Sequence, residues 1–166
     1  MTEKKFVKMT QVEHVLNRPG MYIGSIELVK EDMWIYDELT NKIIKKNIIF
    51  NSGLLKLFDE AIVNARDAFI NDDTVDYIKI EYNKEEKYIS IENNGSNSVP
   101  VSFHQDYKTT YIPSMIFGEL LTSSNYDDNV ERVTGGTNGI GSKAINIFSK
   151  KFIVEINDNI RKRHFV

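Results

Sequence analysis

One stretch constrains the rest of the chain: LLKLFDEAIVNARDAF, beginning at Leu54. At about 100° per residue, Leu54, Leu57, Phe58, Ala61 and Ala65 fall on one face. The stretch therefore predicts an amphipathic helix from 53 to about 70 that must bury that face. Asn51 or Ser52 stands ready to cap it. Such a helix needs a partner surface, and the sequence offers strands on both sides. Residues 34–39 and 42–50 carry alternating or fully apolar runs. Residues 77–82 and 87–92 alternate at period two around Asn83-Lys84-Glu85-Glu86, a hairpin signal. Shorter helices are expected over 10–16, broken by Asn17-Arg18-Pro19-Gly20, over 112–122 with Pro113 in the first turn, and from 140 or 141 to 149. Residues 152–156 and 160–166 read as a last hairpin. This order predicts an α+β fold, a two-layer sandwich with helices on one face of a mixed β-sheet.

The long helix carries a second stripe. Glu60, Asn64 and Asp67 sit at i, i+4 and i+7, within an arc of about 60°. A carboxylate there can accept a proton from water. A carboxamide oxygen one turn on is a hard neutral ligand suited to Mg²⁺. From spacing alone a plain solvent face is the favoured reading. The strand end Asn93-Asn94-Gly95 is similarly double. It marks a turn, and its carboxamides can also pair with a purine edge.

Residues 134–143, TGGTNGIGSK, put four glycines in ten positions and close on Lys143. A Walker loop has G-x-x-x-x-G-K-[ST] directly after a strand. Here Gly136 and Gly141 have the right gap, but Ser142 precedes Lys143 and residues 123–132 are polar. Gly139-Ile140-Gly141-Ser142-Lys143-Ala144 matches the dinucleotide pattern G-x-G-x-x-A, again without the upstream strand. A flexible surface loop is the plain alternative. The physical case for an anion remains: glycines admit backbone N–H groups, a helix N-terminus follows, and Lys143 adds a charge. The polar stretch ahead of it suits a lid, and its glycines predict disorder over 126–138 without a ligand.

Composition narrows the function classes. With 166 residues, 41% of them hydrophobic, the chain holds one domain with a real core. A net charge of −3 argues against a basic nucleic-acid-binding domain of its own. The absence of cysteine excludes disulfides and thiolate chemistry. No apolar run is long enough for a membrane span, and the N-terminus lacks a signal-peptide core, so an intracellular protein that is not secreted is expected.

Together these segments resemble the N-terminal ATPase domain of type IIA DNA topoisomerases, a Bergerat-type (GHKL) fold, in its single-chain eukaryotic and large-DNA-virus form. The likeness runs in order through TQVEHVL with RPGMYIGS, DEAIVNA, Asn93-Asn94-Gly95, PSMIFGELLTSSNYDD and VTGGTNGIGSKAINIFS. Related chaperone, mismatch-repair and sensor-kinase ATPases share the helix Glu/Asn pair and the glycine lid, but not these strings. The resemblance implies an N-terminal arm with a short helix over 1–24 and an ATPase domain over 25–166. It implies that Glu60 is the general base acting on water, and that Asn64 ligates Mg²⁺. Asn93 would face adenine, and Ser123, Ser124 and Asn125 would contact ribose and phosphates. Gly136, Thr137, Asn138, Gly139, Ile140, Gly141, Ser142 and Lys143 would wrap the triphosphate. ATP would close a homodimer that gates DNA passage in the full-length enzyme.

Four departures from the family pattern stand out. Asn94-Gly95-Ser96-Asn97-Ser98-Val99-Pro100 is one residue longer than usual and lacks a second glycine. Thr137 replaces a basic residue, Phe6 an arm tyrosine, and Ala68 an asparagine one turn beyond Asn64. These are expected to tune affinity. The family draws a further γ-phosphate lysine from a second subdomain, so the chain alone is expected to turn over ATP weakly or not at all.

Overall fold

The structure, a computed structural model, describes residues 7–97, 99–122, 135 and 139–166. The expected order of elements is present. Helix α1 spans Gln11–Asn17 and is opened by a reciprocal cap: Thr10 Oγ1 accepts from the Glu13 N–H, and Glu13 Oε2 accepts from the Thr10 N–H. A 3₁₀ turn, Pro19–Met21, follows. Strands β1 (Leu28–Asp37) and β2 (Lys42–Asn51) pair antiparallel over their whole length, Leu28 opposite Asn51 and Asp37 opposite Lys42. Val29, Met33, Ile35, Ile44, Ile48 and Phe50 line the half-buried face of this hairpin, while Trp34, Tyr36, Ile43 and Ile49 stand exposed on the other.

Helix α2 runs Ser52–Asn71, with the Asn51 side chain accepting the Leu54 N–H as its cap. Its packed face is centred further along than the periodicity predicts. Ala65 is buried and Leu57, Phe58 and Ala61 are half-buried, but Leu54 is 59% exposed. Leu54 lies in the first turn, where the helix has just left the hairpin. Strands β3 (Ile78–Asn83) and β4 (Tyr88–Asn93) form the second antiparallel hairpin. Helix α3, Ile112–Gly118, stops four residues short of the expected end. Thr122 turns its hydroxyl onto the Met115 and Glu119 carbonyls and satisfies the helix terminus there. Helix α4 covers Gly141–Phe148, and a short last hairpin pairs β5 (Ile156–Asp158) with β6 (Arg163–Phe165).

The chain is thus α+β, and among the described residues its strands pair as three antiparallel ladders. Helix α2 packs against β4 and α4, and α4 also contacts α1 and α3. The helical layer therefore centres on α4, whose Ala144 is buried. No described helix is long and apolar enough to cross a membrane.

The last hairpin is joined to the preceding loop by a buried carboxylate. Asp158, 2% exposed, accepts the Val101 N–H at 2.9 Å, the Arg161 N–H at 2.9 Å and Arg161 Nη1 at 3.1 Å. Arg163 Nη1 returns a bond to the Val101 carbonyl. Burial alone would raise its pKa, but the N–H groups of Arg161 and Val101 and the Arg161 guanidinium hold the carboxyl down at about 2. A depressed carboxylate pKa stabilises the fold above the unfolded value of about 3.9 and loses that contribution as pH falls through the folded value. Asp158→Ala is therefore expected to lower the melting temperature at pH 7 by roughly 5 °C or more. In thermal denaturation, the gap to the parent should close as pH falls from 4 to 2; an unchanged gap would rule the linkage out.

Candidate functional site

The polar stripe of α2 faces the glycine-rich segment, and the two meet at two places. The first is Glu60. A Cβ built on Gly141 would overlap Glu60 Oε2 and would stand 2.9 Å from its carboxyl carbon. The carboxylate of α2 thus rests directly against the first residue of α4, where only glycine leaves space. The second is Asp67, whose two oxygens accept the Gly135 N–H at 3.1 and 3.0 Å. Val63 packs beneath the same glycine. Gly141 and Gly135 therefore meet α2 one helical turn to either side of Asn64, which is exposed.

Helix α4 begins without a side-chain cap, behind Gly139 in a left-handed conformation at φ 60°. The first N–H groups of a helix have no intrahelical acceptor, and the helix dipole adds partial positive charge there. Such an end accepts anions. Glu60 sits beside it, with Oε1 2.6 Å from Lys56 Nζ one turn earlier. The hydrogen bond to Glu60 drives the Lys56 pKa up, against the smaller downward pull of burial.

Polar side chains further along α4 turn inward. Ser142 Oγ donates to the Ile116 carbonyl at 3.2 Å, and Asn146 Nδ2 to the Phe117 carbonyl at 3.3 Å. Lys143 is 3% exposed, its ammonium on the Thr122 carbonyl at 2.7 Å. Burial pushes its pKa down. The sequence points Lys143 at phosphate oxygens. Its amine instead ties α4 to the residue immediately before Ser123, Ser124 and Asn125, which bear the ribose and phosphate expectation.

At the end of β4 the two asparagines divide their work. Asn94 is spent on the fold: Oδ1 accepts the Asp76 N–H at 3.1 Å, and Nδ2 donates to Asp76 Oδ1 at 2.8 Å. Asn93 is exposed, and only its Nδ2 is engaged among the described residues, with the Asn94 carbonyl at 2.9 Å. Its oxygen takes no hydrogen bond among the described residues and can accept one.

The lengthened loop after it is clasped by side chains. Asp72 accepts the Asn97 N–H at 2.7 Å and also the Thr74 hydroxyl; Thr74 Oγ1 accepts the Ser96 N–H at 2.7 Å. Gly95, at φ 141°, passes so close to Val75 and Asp72 that a Cβ would lie 2.7 and 2.8 Å from them. The bonds from Thr74, then from the Asn97 N–H, lower the Asp72 pKa. These side-chain bonds hold the turn that the missing second glycine shapes in the family pattern.

The structure thus brings Glu60, Gly139, Ile140 and Gly141 to one helix end and leaves Asn64 and Asn93 exposed on α2 and β4. Ser123, Ser124, Asn125, Gly136, Thr137 and Asn138 lie outside the described residues, as do Phe6 and, apart from Gly135, the stretch 126–138 expected to be disordered. Sequence reasoning missed the roles of Lys56, Gly135 with Asp67, and Asp72. Only Lys56 has a local signal, its i, i+4 spacing to Glu60. Among the described residues no group of three or more His, Asp or Glu side chains is placed to hold a metal. A lone exposed carboxamide fits Mg²⁺ only where phosphate oxygens and water complete the shell.

No family model matches the sequence. Known proteins do. DNA topoisomerase 2 of Plasmodium falciparum is 47% identical over 168 residues, covering 98% of this chain and 12% of that protein. The ATPase region of Saccharomyces cerevisiae topoisomerase II matches with a TM-score of 0.91 and 46% identity, over 96% of this chain and 42% of that one. The ATPase and transducer domains of DNA topoisomerase II from Balamuthia mandrillaris match at 0.84 and 40% identity, over 90% and 38%. The chain spans little more than a tenth of the length of the curated relatives it matches.

Proposed function

The chain belongs to the DNA topoisomerase 2 family, and from that premise we propose that it is the ATP-binding and hydrolysing module of a type II DNA topoisomerase. The observation that carries the chemistry is the Glu60 carboxylate seated against Gly141 at the uncapped end of α4. An anion drawn to that end would have a carboxylate beside it. Phosphoryl transfer to water needs little covalent help and much positioning. Glu60 orients the attacking water and takes its proton, and the new P–O bond forms as the bond to the leaving diphosphate breaks. Asn64 would hold Mg²⁺ together with phosphate oxygens and water; bound there, the ion neutralises phosphate charge. Asn93 offers its side-chain oxygen to the adenine amino group.

Ser123, Ser124, Asn125, Gly136, Thr137 and Asn138 belong to this proposal on the strength of the family likeness alone. So do Gly139, Ile140, Ser142 and Lys143, with one change for Lys143. Its amine supports the nucleotide site by holding Thr122. In the full-length enzyme, ATP binding would bring two modules together and gate the passage of DNA. The isolated chain is expected to bind nucleotide and turn it over weakly or not at all.

The direct test is binding of a non-hydrolysable ATP analogue to this chain by calorimetry, with and without Mg²⁺. Affinity is expected to rise with Mg²⁺ and to exceed that for NAD at least tenfold, about 1.4 kcal/mol. A preference for NAD would refute the reading. ATP-dependent strand passage by the full-length protein tests the output.

A further inference from the structure

The ion pair at Glu60 has more to do than stabilise a helix. Both partners are partly exposed, Lys56 at 47% and Glu60 at 28% of their side chains, and such pairs contribute little to stability. The order Lys before Glu is also the less favourable one along a helix. Its geometry is nonetheless tight. Oε1 of Glu60 is held at 2.6 Å by Lys56 Nζ, while Oε2 is the oxygen lying against Gly141. The two carboxylate oxygens are thereby given different tasks. A free carboxylate rotates and exchanges them. A carboxylate beside the anion-accepting end of α4 would also be repelled by any phosphate bound there, and a cation on its far oxygen offsets that repulsion.

We infer that Lys56 is a positioning residue for hydrolysis: it anchors Oε1 so that Oε2 is the oxygen presented to water at the α4 end. The inference rests on the assignment of Glu60 as the base. Lys56 donates hydrogen bonds to the carboxylate and neither takes nor gives the proton that is transferred.

The test is steady-state ATP hydrolysis by the full-length protein, paired with the Kd of a non-hydrolysable ATP analogue. Lys56→Met is expected to lower kcat about 10- to 100-fold, a fraction of what a general base itself supplies, while the analogue Kd changes less than about threefold. Lys56→Arg, which keeps a cation on the carboxylate, is expected to retain at least about a third of kcat. A merely structural pair would not give this split or this rescue. Lys56→Gln serves as the neutral variant should Lys56→Met fold poorly, judged by its melting curve. Unchanged kcat in the neutral variant overturns the inference. So does a loss of affinity as large as the loss of kcat, which would make Lys56 a phosphate contact. Glu60→Gln, run alongside, separates the two levels. If it keeps its turnover, the base assignment falls and the inference with it; if it loses turnover while Lys56→Met does not, only the inference falls.

Discussion

Glu60→Gln is expected to lower ATP turnover by the full-length protein about 10²- to 10⁴-fold, the range a positioned general base supplies. The substitution is nearly isosteric, so the fold around α2 should survive it. The carboxamide retains an oxygen for Lys56 and sets an amide group against Gly141, but it has no basic site for the proton of water. Nucleotide binding should persist, because the α4 end, Asn64 and Asn93 are untouched. Losing the carboxylate charge beside the bound phosphates would if anything favour binding. The measurement is hydrolysis alongside analogue binding on one preparation. Turnover within a few-fold of the parent would remove Glu60 from the reaction and leave the ATP-binding reading standing.

The second large effect concerns a residue with no side chain. Gly141→Ala places a methyl group where Glu60 Oε2 lies. The backbone permits alanine, since Gly141 is the first residue of α4 and is not among the residues at positive φ. By propensity alone alanine favours a helix interior over glycine by about 1 kcal/mol. The clash is with the free end of a long side chain, so the fold yields by moving Glu60. Stability and activity are thus predicted to part: a melting temperature equal to or above the parent's, with turnover down by at least about tenfold. The added methyl also crowds the approach of phosphate to the α4 end, so analogue affinity should fall as well. A destabilised protein with normal turnover per folded molecule would show that the Glu60–Gly141 contact serves only packing.

Most of the architecture was legible in the sequence because the signals are local. The 3.6-residue period of α2, the period-two runs of β3 and β4 and the turn at 83–86 each depend on neighbours in the chain. Where local signals met a tertiary decision they misled. Leu54 belongs to the apolar face by angle, yet it stands exposed; in the first turn of α2 it is Gly53 that is buried, against Ser25 and Ile23. Helix α3 has sequence enough to reach 122, yet Gly118 and the Thr122 hydroxyl end it sooner. The last hairpin pairs over fewer residues than its apolar run suggests, since Asp158 is turned inward to hold the loop at Val101.

The site shows the same division. Glu60 and Asn64 share a stripe that helix geometry alone predicts, and the family likeness gives it a chemical meaning. That Glu60 meets Gly141, and that Lys143 turns away to Thr122, follows from how α4 docks on α2 and α3. Elements far apart in the chain set that docking, and no spacing within a motif encodes it. The departure after Asn94 is the clearest case. The pattern showed only a missing glycine, while the bonds that make up for it come from Asp72 and Thr74, on the other side of the β3–β4 hairpin.

The outer face of the first hairpin has a practical consequence. Trp34 is the chain's only tryptophan, and it stands 69% exposed opposite Lys45. Intrinsic fluorescence excited at the red edge of indole absorption therefore reads that face alone. Water-relaxed emission marks a bare hairpin, and a shift to the blue marks its covering by another subunit or by more of the same polypeptide. The molecule thus carries its own optical gauge of that face, and any covering of it can be followed without a label or a substitution.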